Sequence, residues 1–111
     1  MGTKDAAELL PGTLDLLILK AVAGGAMHGY GIAQRLKDLS DDVLQVGESS
    51  LYPALQRLLL RGWVKAAWGA SENNRRARYY TLTPAGRKQF AVERREFDQI
   101  ILAIHKVLNA T

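Results

Sequence analysis

The sequence contains no cysteine and only two histidines. It can therefore form neither a disulfide nor a thiolate metal site, and no set of histidine, aspartate and glutamate has the spacing of metal ligands. We expect no metal and no other cofactor. Long apolar runs are also absent, since none approaches the roughly 20 residues that a membrane span needs. The N-terminus has no signal-peptide pattern, so a cytoplasmic protein that binds no membrane is favoured.

Residues for catalysis are equally scarce. Ser49 and Ser50 have no base nearby in the sequence, so a hydrolase nucleophile is not expected. The glycines between positions 24 and 31 do not have the spacing of a phosphate-binding loop. His28 lies where a helix is predicted to begin and is expected to cap or pack there. We therefore expect a protein that is not an enzyme.

The composition is that of one globular domain, with 111 residues, 48% hydrophobic and 23% charged. Its charge is unevenly distributed. Residues 1–55 carry four Lys and Arg against seven Asp and Glu, a net charge of −3, whereas residues 56–111 carry eleven against four, a net charge of +7. Within residues 57–88 the ratio is eight to one. This concentration suits phosphate neutralisation, although a solvated basic face is the alternative interpretation.

The segment over residues 47–64 predicts a helix from about Ser50 to Arg61. Ser50 is placed to cap it, and Pro53 would then fall near the first turn, where a missing N–H costs little. Gly62 follows the last turn, where a left-handed residue commonly closes a helix. At helical pitch one face is apolar and consists of Leu51, Leu55, Leu58 and Leu59. This face is predicted to enter a protein core.

The opposite face of the same helix is polar. It consists of Ser49, Pro53, Gln56 and Arg57, with Ser50 and Tyr52 on its flanks. Hydroxyl, amide and guanidinium groups are those that a helix presents to base edges and phosphates in a DNA major groove. The face is therefore typical of a DNA-reading helix.

Two shorter helices are predicted before this one, from Thr13 to about Ala23 and from about Gly29 to Leu39. Three helices at this spacing indicate a helix-turn-helix core. After them the period changes, because residues 63–68 and 78–82 are rich in β-branched and aromatic side chains. The polar segment 69–76 between them contains turn-forming residues. We expect a β-hairpin with a flexible, basic tip, which is a wing.

The last predicted helix begins at Thr83, which caps it with Pro84 in the first turn, and runs to about Leu108. One side of it carries apolar residues at near-heptad spacing, and this seam consists of Phe90, Phe97, Ile100, Ile101, Ile104, Val107 and Leu108. A domain of this size is not expected to cover the whole seam. We therefore predict a second subunit there, and the alternative is that the helix folds back on its own domain.

Four motifs resemble the PadR family of bacterial transcriptional regulators. In order they are Leu14-Asp15-Leu16-Leu17-Ile18-Leu19, His28-Gly29-Tyr30-Gly31-Ile32, Ser50-Leu51-Tyr52-Pro53-Ala54-Leu55 and Arg78-Tyr79-Tyr80-Thr81-Leu82-Thr83-Pro84-Ala85-Gly86. Their order and spacing match the family, and the length matches its short subgroup, which has a single helix after the wing. The resemblance implies an α+β, mostly α fold: a winged helix-turn-helix with a C-terminal dimerisation helix. It divides the chain into a flexible arm (1–8), a winged helix-turn-helix DNA-binding domain (9–83) and a dimerisation helix (84–111).

The candidate DNA-binding residues combine the polar helix face with the basic hairpin. They are Tyr30, Ser49, Ser50, Tyr52, Gln56, Arg57, Lys65, Arg75, Arg76 and Arg78. For Tyr52 the resemblance favours a phosphate contact through its hydroxyl, and the alternative is a half-buried aromatic at the helix flank. Leu60 falls on the exposed side of the predicted helix. Two contacts are open for it, a thymine methyl group of DNA and a neighbouring helix.

The resemblance implies an effector site for some members of the short subgroup, which bind flat aromatic compounds between paired terminal helices, on a stacking tryptophan. This chain departs from that pattern, because Trp63 and Trp68 both lie in the predicted hairpin. Phe90 and Phe97 are the substitutes available on the last helix, and they are the candidate effector-binding residues for a small planar aromatic compound.

Two functions remain open at this level. The first is a homodimeric repressor that binds a palindromic operator in double-stranded DNA, for which a response to an effector is left open. The second is a protein-binding module that uses the winged-helix scaffold and has weak or no specific DNA binding.

Overall fold

The computed structural model describes residues 12–111 together with the backbone of Lys4 and Asp5. The elements follow one another as β1 (Lys4–Asp5), α1 (Thr13–Val22), β2 (Met27–His28), α2 (Gly29–Leu39), β3 (Leu44–Gln45), α3 (Glu48–Leu60), β4 (Val64–Ala70), β5 (Arg76–Leu82) and α4 (Pro84–Leu108). The predicted winged helix-turn-helix with a further C-terminal helix is confirmed. The predicted arm over residues 1–8 lies outside the described residues, apart from the β1 backbone.

The core lies between the first three helices and the base of the hairpin. The side chains that are almost completely buried come from all three helices and comprise Ile18, Leu19, Val22, Ile32, Leu55 and Leu58. The predicted apolar face of α3 therefore enters the core, where Leu51, Leu55 and Leu58 are buried and Leu59 packs against it. Each such side chain contributes about 1.5–3 kcal/mol relative to an exposed one. This core fixes the orientation of the exposed side of α3.

The predicted beginning of α3 is wrong. Gly47 is the N-terminal cap, and its carbonyl accepts hydrogen bonds from the N–H groups of Ser50 and Leu51, at 3.1 and 3.0 Å. Ser50 therefore lies inside the helix, and Pro53 is its sixth residue instead of belonging to the first turn. Glu48 takes the first helical position, where a carboxylate interacts favourably with the helix dipole. This acidic residue compensates for the missing side-chain cap.

The end of α3 agrees with its prediction. Gly62 is left-handed, with φ of 75°, and follows the C-terminal cap residue Arg61. Its N–H donates to the carbonyl of Leu59 and the N–H of Trp63 donates to the carbonyl of Leu58, both at 3.0 Å. This is the Schellman arrangement, which satisfies carbonyls that a helix end leaves free. It turns the chain directly into β4.

The hairpin is longer than predicted. β4 and β5 pair antiparallel from Val64 opposite Leu82 to Ala70 opposite Arg76, so the tip is reduced to residues 71–75. A third strand, β2, pairs with β5 on the other side, with His28 opposite Tyr79. After α2 the chain forms β3, which pairs in parallel with β1. None of β1, β2 and β3 is predicted from the sequence, because two-residue strands lack the length to show an alternating pattern.

The beginning of α4 is joined to the end of α3. The hydroxyl of Thr83 accepts a hydrogen bond from the N–H of Gly86 at 2.9 Å, which confirms the predicted cap, and donates to the carbonyl of Gly62 at 2.7 Å. The N–H of Thr83 donates to the carbonyl of Trp63 at 3.1 Å. Gly86 is buried against this carbonyl. The base of the wing and the two helices therefore form one tightly packed junction.

Most of the apolar seam on α4 is exposed beyond this junction. Phe90 packs against the core and α4 contacts α1, but the seam loses its cover toward the C-terminus. Phe97 and Ile101 are half-buried, whereas Ile100, Ile104, Val107 and Leu108 are exposed, the last two to 75% and 72%. The alternative for α4 was that it folds back on its own domain. The domain covers only the first half of the α4 seam.

Candidate nucleic-acid interface

The exposed face of α3 contains the residues predicted for it. Ser49, Tyr52, Pro53 and Gln56 are exposed, and Ser50 is half-buried on the flank. Leu60 is exposed to 78%, on the side where the pattern placed it. A row of short polar side chains on a helix anchored by a buried face has the form of a DNA-reading helix.

Arg57 differs from the other residues of this face because it binds Asp15 of α1. Its Nη2 lies 2.7 Å from one carboxylate oxygen of Asp15 and its Nε lies 3.4 Å from the other. Arg61 approaches the same carboxylate at 3.6 Å. The hydrogen bond to Asp15 raises the pKa of Arg57 above its ordinary value. Because the Asp15 side chain is only 8% exposed, Arg57 has a structural role, and its contact with DNA stays a prediction.

We expect Arg57→Ala to destabilise the fold by about 2 kcal/mol, because it leaves the buried carboxylate of Asp15 without its short hydrogen bond. Gln56→Ala, a truncation of the exposed neighbour on the same helix, is the matched control and should change stability by less than about 0.5 kcal/mol. Urea denaturation at one protein concentration measures both. Equal midpoints for the two variants would show that the Asp15–Arg57 pair contributes nothing.

The beginning of α2 lies against α3 through a tyrosine and a glycine. His28 caps α2, since its Nδ1 accepts a hydrogen bond from the N–H of Gly31 at 3.0 Å, as predicted for a capping role. The ring of Tyr52 crosses the first residue of α2, where a Cβ on Gly29 would lie 2.8 Å from the Tyr52 hydroxyl oxygen. The glycine of the His-Gly-Tyr motif is therefore needed for this approach. Tyr30 beside it is 72% exposed.

A groove runs between α2 and the wing, and it collects four of the predicted DNA-binding residues. Those four are Tyr30, Tyr52, Arg76 and Arg78. It also contains residues for which no DNA-binding role was predicted, chiefly His28, Arg35, Trp68 and Tyr79. Its three arginines outnumber its two carboxylates, Asp38 and Glu72. The lining is thus rich in aromatic rings and carries a positive balance.

Lys65 and Arg75 lie apart from this groove. The alternation of side chains along β4 puts Lys65, which is paired with Thr81, on the face of the hairpin opposite to Arg78 and Tyr80. Arg75 belongs to the tip and is exposed. The structure therefore divides the predicted basic residues of the wing into a groove pair, Arg76 and Arg78, and two that point elsewhere or extend from the tip.

Cations and aromatic rings alternate along the face of the hairpin that carries Trp68, Arg78 and Tyr80. The guanidinium of Arg78 lies over the ring of Tyr80, 6.0 Å from its centroid, and that of Arg76 lies over Trp68 at 4.6 Å. On the other face the ring of Tyr79 covers Gly69, and its hydroxyl donates to the carbonyl of Ala70 at 2.9 Å. These contacts brace the wing from the core residue Tyr80 toward the tip.

Across residues 12–111, no group of three or more histidine, aspartate and glutamate side chains is arranged to hold a metal ion. The helices in this part of the chain are also too short or too polar to cross a membrane.

The three-helix core, the hairpin and the basic groove define a winged helix-turn-helix protein. Residues 18–92 match the model of the Transcriptional regulator PadR-like family. The chain therefore belongs to the PadR-like family of transcriptional regulators, whose members are not enzymes.

Two solved structures of transcriptional regulators agree with this assignment, and a curated protein of no stated function is also similar in sequence. A transcriptional regulator of Clostridium thermocellum is 30% identical and superposes with a TM-score of 0.78, over 86% of this chain and 92% of its own. A PadR family transcription regulator of Clostridium difficile is 25% identical, with a TM-score of 0.75 over 88% and 100% of the two chains. An uncharacterised protein of Lysinibacillus sphaericus is 27% identical over 73% of this chain and 74% of its own length.

Proposed function

We propose that this PadR-like regulator is a homodimeric repressor that binds a palindromic operator in double-stranded DNA. The observation that carries the proposal is the groove between α2 and the wing, where Tyr30, Tyr52, Arg76 and Arg78 meet beside the exposed face of α3. A helix face that can read base edges and a basic groove next to it are the two parts of a specific DNA interface.

The two parts have different tasks in this proposal. Ser49 and Gln56 on α3 contact base edges in the major groove, and the arginines of the wing neutralise phosphates of the adjacent backbone. Tyr52 belongs to both neighbourhoods, because its ring packs on Gly29 while 47% of the residue remains exposed. Its hydroxyl then serves as a phosphate donor on a ring that is already fixed.

The dimer is supported by the exposed second half of the α4 seam. Ile104, Val107 and Leu108 would gain cover from the same residues of a second copy, since a two-fold contact pairs one patch with itself. A symmetric dimer presents two copies of α3, which suits two half-sites about one helical turn apart. The palindromic operator follows from this symmetry.

DNA binding is tested with a dye-labelled 30-base-pair duplex of mixed sequence, over a range of salt concentrations. Arg75→Ala with Arg76→Ala should weaken binding and make the slope of log affinity against log salt shallower by up to about two units for each wing. The control is Arg95→Ala with Lys106→Ala, which removes the same charge from exposed positions on the side of α4 opposite to the apolar seam. The salt slope of this control variant should match that of the parent chain. Equal slopes for both double variants would contradict the assignment of the wing.

Selection of binding sites from a random-sequence duplex library decides between the proposal and its alternative. Recovery of a motif with two-fold symmetry supports the repressor. Recovery of no motif, with only weak and salt-sensitive binding, favours a protein-binding module on the same scaffold. An effector site on Phe90 and Phe97 stays a prediction, and of the two only Phe97 lies outside the group that packs on the core.

A further inference from the structure

Trp68 is a large aromatic residue of the wing, and it is not among the DNA-binding residues named so far. It lies on β4 opposite Arg78, well away from the core, and is 60% exposed. An indole this exposed contributes little to folding by burial. It nevertheless lines the groove that contains Tyr52 and Tyr30.

The ring of Trp68 has one close partner of functional interest. The guanidinium of Arg76 lies 4.6 Å from the centroid of this ring. In the sheet Trp68 is opposite Arg78, and Arg76 lies two residues before Arg78 on β5. The side chain of Arg76 therefore reaches diagonally across the hairpin to the indole. Tryptophan is the aromatic side chain that attracts a guanidinium most strongly. Arg76 would otherwise be a long, unrestrained side chain near the end of a hairpin.

A guanidinium that rests on a ring keeps its N–H groups available at its edge. It can then donate two parallel hydrogen bonds to a phosphate while its face stays on the indole. Restricting the side chain before binding lowers the entropy that is lost when the phosphate contact forms. The 4.6 Å between the Arg76 guanidinium and the centroid of the Trp68 ring fits a phosphate contact that is prearranged in this way.

We propose that Trp68 is a positioning residue for DNA binding, which acts by holding the Arg76 guanidinium toward a phosphate in the groove. The inference rests on the proposed function and adds a specific role to a residue outside the basic set. Trp68 acts through Arg76, so its contribution should disappear when Arg76 is removed.

The test uses the full chain, the same mixed-sequence duplex and a double-mutant cycle. Trp68→Ala should weaken binding about two- to fivefold for each wing, because the loss cannot exceed the strength of a cation over an aromatic face at an exposed site, which corresponds to a factor of that size. Trp68→Phe should recover most of this loss. In an Arg76→Ala background, Trp68→Ala should have almost no further effect. Arg76→Ala should lower the salt slope by about one unit, whereas Trp68→Ala should leave it nearly unchanged, since no charge is lost.

Lys65→Ala supplies the control background, because Lys65 is a cation on the opposite face of the same hairpin. There Trp68→Ala should cause its full loss. Loss of the same size in the Arg76→Ala background, or no loss in any background, would overturn the role of Trp68 while leaving the proposed function intact. If the parent chain does not bind the duplex at low salt, the proposed function fails and the role of Trp68 with it.

Discussion

A chain with Ile101→Asp and Ile104→Asp is expected to sediment as a folded monomer. Both side chains belong to the α4 seam, where Ile101 is half-buried and Ile104 is 40% exposed within one subunit. The proposed dimer would bury four additional carboxylates without partners. That cost raises the dissociation constant by at least about a thousandfold. Sedimentation velocity over a range of protein concentrations measures it, with circular dichroism to follow helix content.

The matched control is Gln99→Asp with Leu102→Asp. These residues have the same spacing and are exposed, but they lie on the opposite side of α4 from the seam. Their variant should sediment like the parent chain. A folded dimer for the seam variant would contradict the assignment of this surface, and monomers for both variants would show that added charge, and not its position, causes the dissociation.

The second large effect is expected from Gly86→Ala. Gly86 has no positive φ, so the difficulty is one of space: its Cβ would overlap the carbonyl oxygen of Trp63 and would lie 2.9 Å from a methyl carbon of Leu82. The Trp63 carbonyl cannot retreat without losing its hydrogen bond from Thr83. We expect a loss of stability on the order of 3 kcal/mol and a midpoint lower by roughly 10 °C.

Gly24→Ala is the control for this variant. A Cβ at Gly24 would have no neighbour within 4 Å, and its φ is also not positive, so the same chemical change should be nearly neutral. Thermal and urea denaturation at a fixed protein concentration compare the two, because the stability of a dimer depends on concentration. Similar midpoints would show that the junction at Trp63 can adapt.

The sequence predicted those features that depend on local periodicity. The bounds of α1 and α2 agree within about one residue because their apolar spacing and the glycines that follow or begin them are local signals. The start of α3 was misplaced because two serines resemble caps, whereas the cap is Gly47, supported by Glu48. The position of the cap depends on the path of the preceding loop, and the preference of single residues for the cap position does not determine that path.

Contacts between residues that are distant in the sequence could not be predicted from such local signals. Asp15 and Arg57 are 42 residues apart, and only the packing of α1 on α3 shows that one neutralises the other. The crossing of Tyr52 over Gly29 and the stacking of Arg76 on Trp68 likewise need the relative placement of two elements. The candidate site was therefore predicted as a set of residues, but their division into groove, reading face and structural pair was not.

The hydrogen bonds of Thr83 with Gly62 and Gly86 hold the first turn of α4 next to the end of α3, so that α4 can act as a lever about this point. Its 25 residues extend for about 37 Å from a stiff pivot next to the end of α3. A tilt of only about 5° at that pivot corresponds to a displacement of about 3 Å at the far end of the helix. In the proposed dimer, a small change in the angle at which the two α4 helices cross would therefore change the distance between the two α3 helices by several ångströms.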